Sequence, residues 1–359
     1  MKSYNHLWET FISDENIKLT IYSSSLGKRD RKDVKEYIEH LEVFIPTIRA
    51  YAENFHNKPH VPKEIYDGIS RKRRTIIVPW YCEQVIHHML VNCLKPIFLK
   101  SMYEHSYGSI PERGVHKAKK SIEKWIKHDS KNVKFYLKMD IKKYFNSIPH
   151  DILKKKLSEK IHDEKFLKVL FEVIDVIPTG IPLGFYTSQW LANWYLTELD
   201  HYTKEELGAV HYVRYMDDMV IFGANKRKLH KMRQSIQEYL KTELGLTLKR
   251  NWQVERFSYI KNAKDKGRDL DFMGFRFYRN RTVLRKSILL KACRKAKRIF
   301  KKIKTTIHDC RQMLSYKGWF ACTDTYWIYQ LRVKPYVDMR LLRKKVGLYD
   351  RQRRKQNVV

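Results

Sequence analysis

Apolar residues recur along this chain with two different periods, and the changes between them divide it into segments. In the first sixty residues the spacing is helical. "VKEYIEHLEVFIPTIRAYAENF" places apolar side chains three and four apart, after a glycine-basic break at "SSSLGKRDRKD". A basic patch with a short apolar strand, "SRKRRTIIVPW", comes next, followed by a helix at "CEQVIHHMLVNCLKPIFL". From 131 to 223 strand and helix signals alternate. "VKFYLKMDI" reads as a strand with Val133, Phe135, Leu137 and Met139 on an apolar face and Lys134, Tyr136, Lys138 and Asp140 on a polar one. A helix is expected near "HDILKKKLSEKI", then a Gly/Pro loop into the helix "SQWLANWYLTEL". In "VHYVRYMDDMVIFG" two strand-like runs flank an acidic pair at a turn. Residues 227–245 read as a helix, before "LGLTLKRNWQV" and the strand-like "DLDFMGFRFYRNRTVLRK". From about 287 the chain turns helical and very basic, ending in a frayed tail. Strands mixed with helices in this order predict α+β or mixed α/β packing.

Charge narrows the range of partners. Lys plus Arg number 73 against 39 Asp plus Glu in 359 residues, a formal net charge of +34. An excess this large favours a polyanion, and nucleic acid fits better than a membrane surface. No apolar run approaches the roughly 20 residues of a spanning helix, and the N-terminus lacks the layout of a signal peptide. The five cysteines form no CxxC or Cys/His cluster, which points to reduced thiols in a cytoplasmic setting and away from structural zinc. With 13 glycines and 10 prolines the chain is neither low-complexity nor disordered.

Against that background the carboxylates stand out. Asp140 ends the polar face of its strand, and Asp217 and Asp218 sit at the hairpin tip. Taken singly, each has a plain explanation, since Asp ends strands and Asp-Asp is ordinary turn chemistry. Taken together, three acids at strand ends in a cationic protein make a site for hard divalent ions, which take oxygen ligands alongside substrate phosphates. Two such ions can activate a 3′-hydroxyl and stabilise a leaving pyrophosphate. The acids hold metal, and the metal meets phosphate.

"YMDD" between two strands resembles the catalytic core of reverse transcriptases, and six further blocks follow the family's order. "KMDIKKYFNSIPHDIL" resembles the first metal-binding motif, and "GIPLGFYTSQWLANWYLTELDH" the template and nucleotide loop and helix. "LGLTLKRNWQV" and "DLDFMGFRFYRNRTVLRKS" are similar to the last palm motif and the primer grip. "KRRTIIVP" and "EHSYGSIPERGVHKA" resemble fingers blocks of bacterial retroelement enzymes. The resemblance spans roughly residues 65–290. It implies an α+β right-hand polymerase fold with an N-terminal helical extension (1–60), fingers (61–130), a palm (131–285) carrying a helical insertion at 151–180, and a basic helical thumb with its tail (286–359).

The same resemblance implies an RNA-directed DNA polymerase and assigns roles. Asp140, Asp217 and the Ile141 carbonyl would ligate Mg²⁺, with Mn²⁺ able to replace it, and Asp218 would complete the acidic site. Phe145 matches the aromatic gate against a 2′-hydroxyl, with Tyr144 its rival. Lys72 and Arg74 match the cations that hold the incoming triphosphate, with Arg113 a third. Leu183, Gly184 and Gln189 would face the nucleotide and the templating base, and Lys249 would protonate pyrophosphate. Phe272, Met273 and Gly274 would form the primer grip. Where retroviral and group II intron enzymes usually carry Gln, Leu183 stands here, and Ser188-Gln189 replaces Ser-Pro. That variant is similar to the enzymes of diversity-generating retroelements, and related defence-associated reverse transcriptases share the layout. The implied partners are a dedicated structured RNA as template, a DNA primer or product, deoxynucleotides and a small accessory protein. The thumb, with "KACRKAKRIFKKIK", Trp319, Tyr326, Trp327 and Tyr329, would grip the duplex, most of its aromatics packing its own core.

Overall fold

The computed structural model describes residues 4–66 and 73–356. Four helices open the chain: α1 (Trp8–Phe11), α2 (Asp14–Ser24), α3 (Lys32–Glu39) and α4 (Leu41–Glu53). A hairpin of β1 (Lys63–Tyr66) and β2 (Arg73–Ile76) leads to α5 (Tyr81–Ser101) and α6 (Val115–His128). Then come β3 (Phe135–Asp140), α7 (Tyr144–Ser147), α8 (His150–Ser158), α9 (Glu164–Ile174), α10 (Tyr186–Tyr195) and α11 (Thr197–His201). A π-helical turn, Tyr202–Glu206, precedes β4 (His211–Tyr215), β5 (Asp218–Gly223) and α12 (Lys226–Thr242). Six short strands follow: β6 (Gln253–Arg256), β7 (Tyr259–Lys261), β8 (Lys264–Lys266), β9 (Leu270–Phe272), β10 (Phe275–Phe277) and β11 (Thr282–Leu284). The chain closes with α13 (Lys286–Phe300), α14 (Ile307–Ala321), α15 (Tyr326–Arg332) and α16 (Met339–Gln356).

The fold is α+β, as its mixture of elements predicts, and it resolves into two compact units. The first takes the chain to Gly114 together with 137–222 and 227–254. The second gathers Val115–Tyr136, Gly223–Lys226 and everything from Glu255 onward. Helix α6 and the strands after Glu255 fall in the same unit as the C-terminal helices.

A four-stranded sheet is ordered β4–β5–β3–β6, and most of its residues fall in the first unit. Residues 219–222 of β5 are all buried, the mark of a central strand covered on both faces. Helix α10 is buried as well: from Thr187 to Tyr195 only Gln189 escapes burial, and the helix packs along α5, most of which is buried too. A helix buried on every side carries no amphipathic stripe, which is why both read simply as apolar runs.

Two sequence expectations change. On β3 it is Tyr136, not Phe135, that is buried, with its hydroxyl donating to the Asp269 carbonyl at 3.2 Å. Phe135 is only half-buried and lies under the Arg256 guanidinium. A tyrosine that finds an acceptor inside can take the core position that alternation gave to phenylalanine. The second change is β1, which pairs antiparallel with β2 from Lys63↔Ile76 to Tyr66↔Arg73. All four of its residues are exposed, so no apolar alternation announced it. Among the described residues no helix is long and apolar enough to cross a membrane.

Candidate active site

The first acid is positioned by the way β3 ends. Ile141, fully buried, bridges antiparallel to Leu248. Flanking it, Lys142 N donates to the Thr247 carbonyl and Lys249 N to the Asp140 carbonyl, both at 2.8 Å. In that pattern the flanking residues make the bonds, so the Ile141 carbonyl points to the opposite edge. The second acid lies in the turn of the β4–β5 hairpin. Tyr215 pairs with Asp218, leaving Met216 and Asp217 as the two turn residues. Met216 has φ of +55° while Asp217 does not share it, the pattern of a II′ turn whose first central position ordinarily takes glycine.

The Asp140 and Asp217 carboxylates lie close enough to bear directly on each other's charge. Burial first, and the Asp140 charge second, push the Asp217 carboxyl up to about 7, with Asp218 adding to the repulsion. The Lys249 ammonium lies against Asp140 from the other side. Two like charges forced together and partly relieved by one lysine form a donor set that suits a divalent cation. Among the described residues no group of three or more His, Cys, Asp or Glu side chains is arranged to hold an ion. The expected trio is therefore a pair in contact. Asp218 begins β5, and successive strand residues point to opposite faces. Two carboxylates with a backbone carbonyl still fit Mg²⁺, which usually keeps waters and substrate phosphates in its shell.

Beneath the turn lies an ion pair that sequence reasoning passed over. Arg214, with no exposed side-chain surface, donates from Nε to Asp200 Oδ1 at 2.8 Å and from Nη2 to Oδ2 at 2.6 Å. Tyr212 adds a hydroxyl bond to Asp200 Oδ1 at 2.7 Å. Arg214 Nη2 also reaches the Asn193 carbonyl at 3.1 Å, and Nη1 reaches the Met216 carbonyl at 2.9 Å. Burial opposes the guanidinium charge, but Asp200 outweighs it and Arg214 titrates above its ordinary range. Gly108 closes the other side: a Cβ there would sit 2.5 Å from the Met216 side chain and 2.7 Å from its backbone nitrogen. Asp200 lies in the polar stretch "TELDHYTKEE" and Arg214 beside the conspicuous acidic pair, so neither residue announces the other in sequence.

The nucleotide loop is built by close backbone approach. Ile181 N donates to the Phe145 carbonyl at 2.7 Å, and Gly180, at φ +75°, passes 2.5 Å (at its ideal Cβ) from Asn146 and Phe145 backbone atoms. On its other side Ile77 N donates to the Leu183 carbonyl at 2.7 Å, and a Cβ on Gly184 would lie 2.1 Å from the Ile77 carbonyl oxygen. Phe145 is half-exposed, whereas Tyr144 is buried with its hydroxyl on the Ala192 carbonyl. This separates the two aromatics: Tyr144 is core. Leu183 is half-buried and Gln189 exposed. Arg74 is exposed on β2, and Lys72 lies outside the described residues. Arg113 donates to the Tyr103 carbonyl at 2.7 Å, so part of its guanidinium serves the fold. Under the loop, Thr187 Oγ1 lies 3.5 Å from His87 Nδ1, and His88 stacks on Tyr186 at 4.0 Å. Burial drives His87 down to about 3 and His88 to about 4.

In the second unit, Phe272 pairs with Phe275 around the two-residue turn Met273-Gly274. Both turn residues have positive φ, 51° and 87°, as a type I′ hairpin demands. Phe272 is fully buried and anchors the turn, while Met273 is half-exposed. A Cβ on Gly274 would press on Ile288 at 2.8 Å and Trp319 at 3.1 Å. Trp319 packs on Phe275, and Tyr329 is buried, but Tyr326 and Trp327 are exposed.

The family described as reverse transcriptase (RNA-dependent DNA polymerase) matches residues 61–276. Protein YkfC of Escherichia coli strain K12 is 23% identical over 286 residues, covering 67% of this chain and 73% of that one. The retron Ec73 reverse transcriptase of Escherichia coli is 26% identical over 210 residues, covering 53% and 63%. The group II intron-encoded protein LtrA of Lactococcus lactis subsp. cremoris is 27% identical over 143 residues, covering 37% and 23%. This chain thus spans under two thirds of the retron enzyme and under a quarter of LtrA. Among solved structures, telomerase from Candida albicans in complex with a telomeric RNA fragment aligns over 84% of this chain and 59% of that one, at 12% identity and a TM-score of 0.47.

Proposed function

The chain belongs to the reverse transcriptase family, and from that premise we propose that it copies a dedicated structured RNA into DNA in a diversity-generating retroelement. The observation that carries the active-site reading is the contact between the Asp140 and Asp217 carboxylates at the mouth of the β3–β5 strands. Asp140, Asp217 and the Ile141 carbonyl would hold the family's divalent ion, Mg²⁺ or Mn²⁺, and Asp218 would supply negative charge beside them. The chemistry supplied by a divalent ion held there would be activation of a primer 3′-hydroxyl and neutralisation of charge on the departing pyrophosphate. The chain's own residues do the rest. Lys72 and Arg74 bind the triphosphate of a deoxynucleotide, with the remaining donors of Arg113 adding to the field. Phe145 excludes the 2′-hydroxyl. Leu183, Gly184 and Gln189 border the templating pair. Lys249, paired with Asp140 in this structure, is the ammonium that would give its proton to the leaving pyrophosphate. Phe272, Met273 and Gly274 hold the primer end.

Residues 61–130 act as fingers, 131–285 as palm and 286–359 as thumb, with 1–60 an added helical region. The five free cysteines suit a reducing cytoplasm. A small accessory protein completes the proposed assembly. Leu183 supports the diversity-generating role, since a leucine removes a hydrogen-bonding side chain beside the templating base and loosens discrimination. The second reading is a defence-associated enzyme that makes DNA on a structured non-coding RNA, whose motifs have the same layout. Incubating the protein with its co-purified RNA, Mg²⁺ and labelled deoxynucleotides, then sequencing the product, separates the two. Substitutions concentrated opposite template adenines support the first, while faithful or untemplated DNA selects the second. Absence of DNA under every condition would overturn both.

A further inference from the structure

We propose that Asp200 and Arg214 are positioning residues that fix the Met216–Asp217 peptide and so aim the Asp217 carboxylate. This rests on the reading of Asp217 as a metal-holding acid. Met216 carries a φ of +55° where a β-carbon is disfavoured, so the turn has no intrinsic reason to keep this shape. Something outside it must hold it. Arg214 Nη1 does so directly, donating to the Met216 carbonyl at 2.9 Å. A peptide unit is planar, so fixing that carbonyl also fixes the Asp217 nitrogen and the direction in which its side chain leaves.

The donor is itself immobilised. Nε and Nη2 are spent on Asp200, Nη2 also on the Asn193 carbonyl of α10, and Asp200 is steadied by Tyr212. The Arg214 backbone is held as well, its nitrogen donating to the His105 carbonyl at 3.1 Å and its carbonyl accepting from Tyr107 N at 2.9 Å. From below, then, the turn rests on a rigid fork, and from the other side on Gly108, which has no Cβ to push Met216 away. Both side chains of the ion pair are fully buried. Apolar residues of similar volume commonly fill such a place as well or better for stability alone. What they lack is a directed donor for a carbonyl in a strained turn. The pair is therefore explained by the turn it holds more than by the stability it adds.

The test compares rate with binding in purified protein on an RNA–DNA template-primer. Two variants keep it decidable: the apolar double replacement Asp200→Leu with Arg214→Met, and Arg214→Lys, which keeps the charge but loses the fork. Expected for each folded variant is a kcat lowered roughly 10- to 100-fold, as for displacements of about 1 Å at a reacting centre. The deoxynucleotide KM and template-primer affinity should stay within about threefold, because neither is bound through the turn carbonyl. Adding Met216→Gly to Arg214→Lys should recover most of the rate, since glycine takes positive φ without help. A folded variant with parental kcat, or a loss of rate and binding together that Met216→Gly leaves unchanged, would overturn the clamp. Asp217→Asn is run alongside. If it still synthesises DNA, the reading of Asp217 fails and the clamp with it; if it is inactive while the Arg214 variants are not, the clamp alone fails.

Discussion

At the scale of single residues, what the sequence made legible depended on whether a side chain's role could be inferred from its neighbours in the chain. Asp140 was legible because alternation along β3 placed it at the end of a polar face, and Asp217 because acids at a hairpin tip are conspicuous in a chain of net charge +34. Arg214 was not, although it stands three residues from Asp217. Its meaning comes from Asp200, fourteen residues earlier, and no local pattern links the two. Gly180 and Gly184 were visible as loop glycines, but their reason, a neighbouring backbone within 2.5 Å of any added Cβ, exists only in three dimensions. Phe145 and Tyr144 were rivals until burial separated them. Phe145→Val should therefore raise ribonucleotide incorporation relative to deoxynucleotide by at least about tenfold, measured as the ratio of kcat/KM values. Tyr144→Phe, which removes only the buried bond to Ala192, should leave that ratio unchanged.

Among elements, long apolar runs were read well and short exposed strands poorly. Helices α5, α8, α10, α12 and α13 lie where their patterns placed them, whereas β1 has no buried residue to reveal it. The junction of α5 with α10 has a consequence of its own. His87 and His88 are held neutral inside it, at about 3 and about 4 against an ordinary 6.5. Burial is the main cause, helped for His87 by His88 and then His60, and for His88 by Lys28. Both folded values lie below the unfolded one, so the unfolded chain takes up protons first as pH falls below 6.5. This contribution to stability is whole above pH 6.5 and drains away as pH falls towards 4. Two such protons give a slope of up to about 3 kcal/mol per pH unit. Urea midpoints measured from pH 7 to pH 4.5 should fall accordingly. In His87→Gln and in His88→Gln the decline should be shallower by about half of the histidine share, and an unchanged slope in both would show that these histidines are not held neutral.

For the molecule as a whole, composition had already pointed to a polyanionic partner, and the ordered motifs to a polymerase. Division into two units was not legible, because contacts between α6 and the strands after Glu255 join segments far apart in sequence. Positive charge and paired acids serve one purpose in this account: the cations gather nucleic acid, and the acids reserve one point for metal and reacting phosphate. Binding and chemistry should therefore come apart on mutation. The direct measurement is primer extension on an RNA template with Mg²⁺, beside template-primer affinity at two salt concentrations, for the parent protein and for Asp140→Asn and Asp217→Asn. The account predicts that each variant loses at least about 10³-fold in rate. It predicts affinity within a few-fold of the parent, weakened alike by salt. Either variant extending the primer at a rate near the parent's would contradict it.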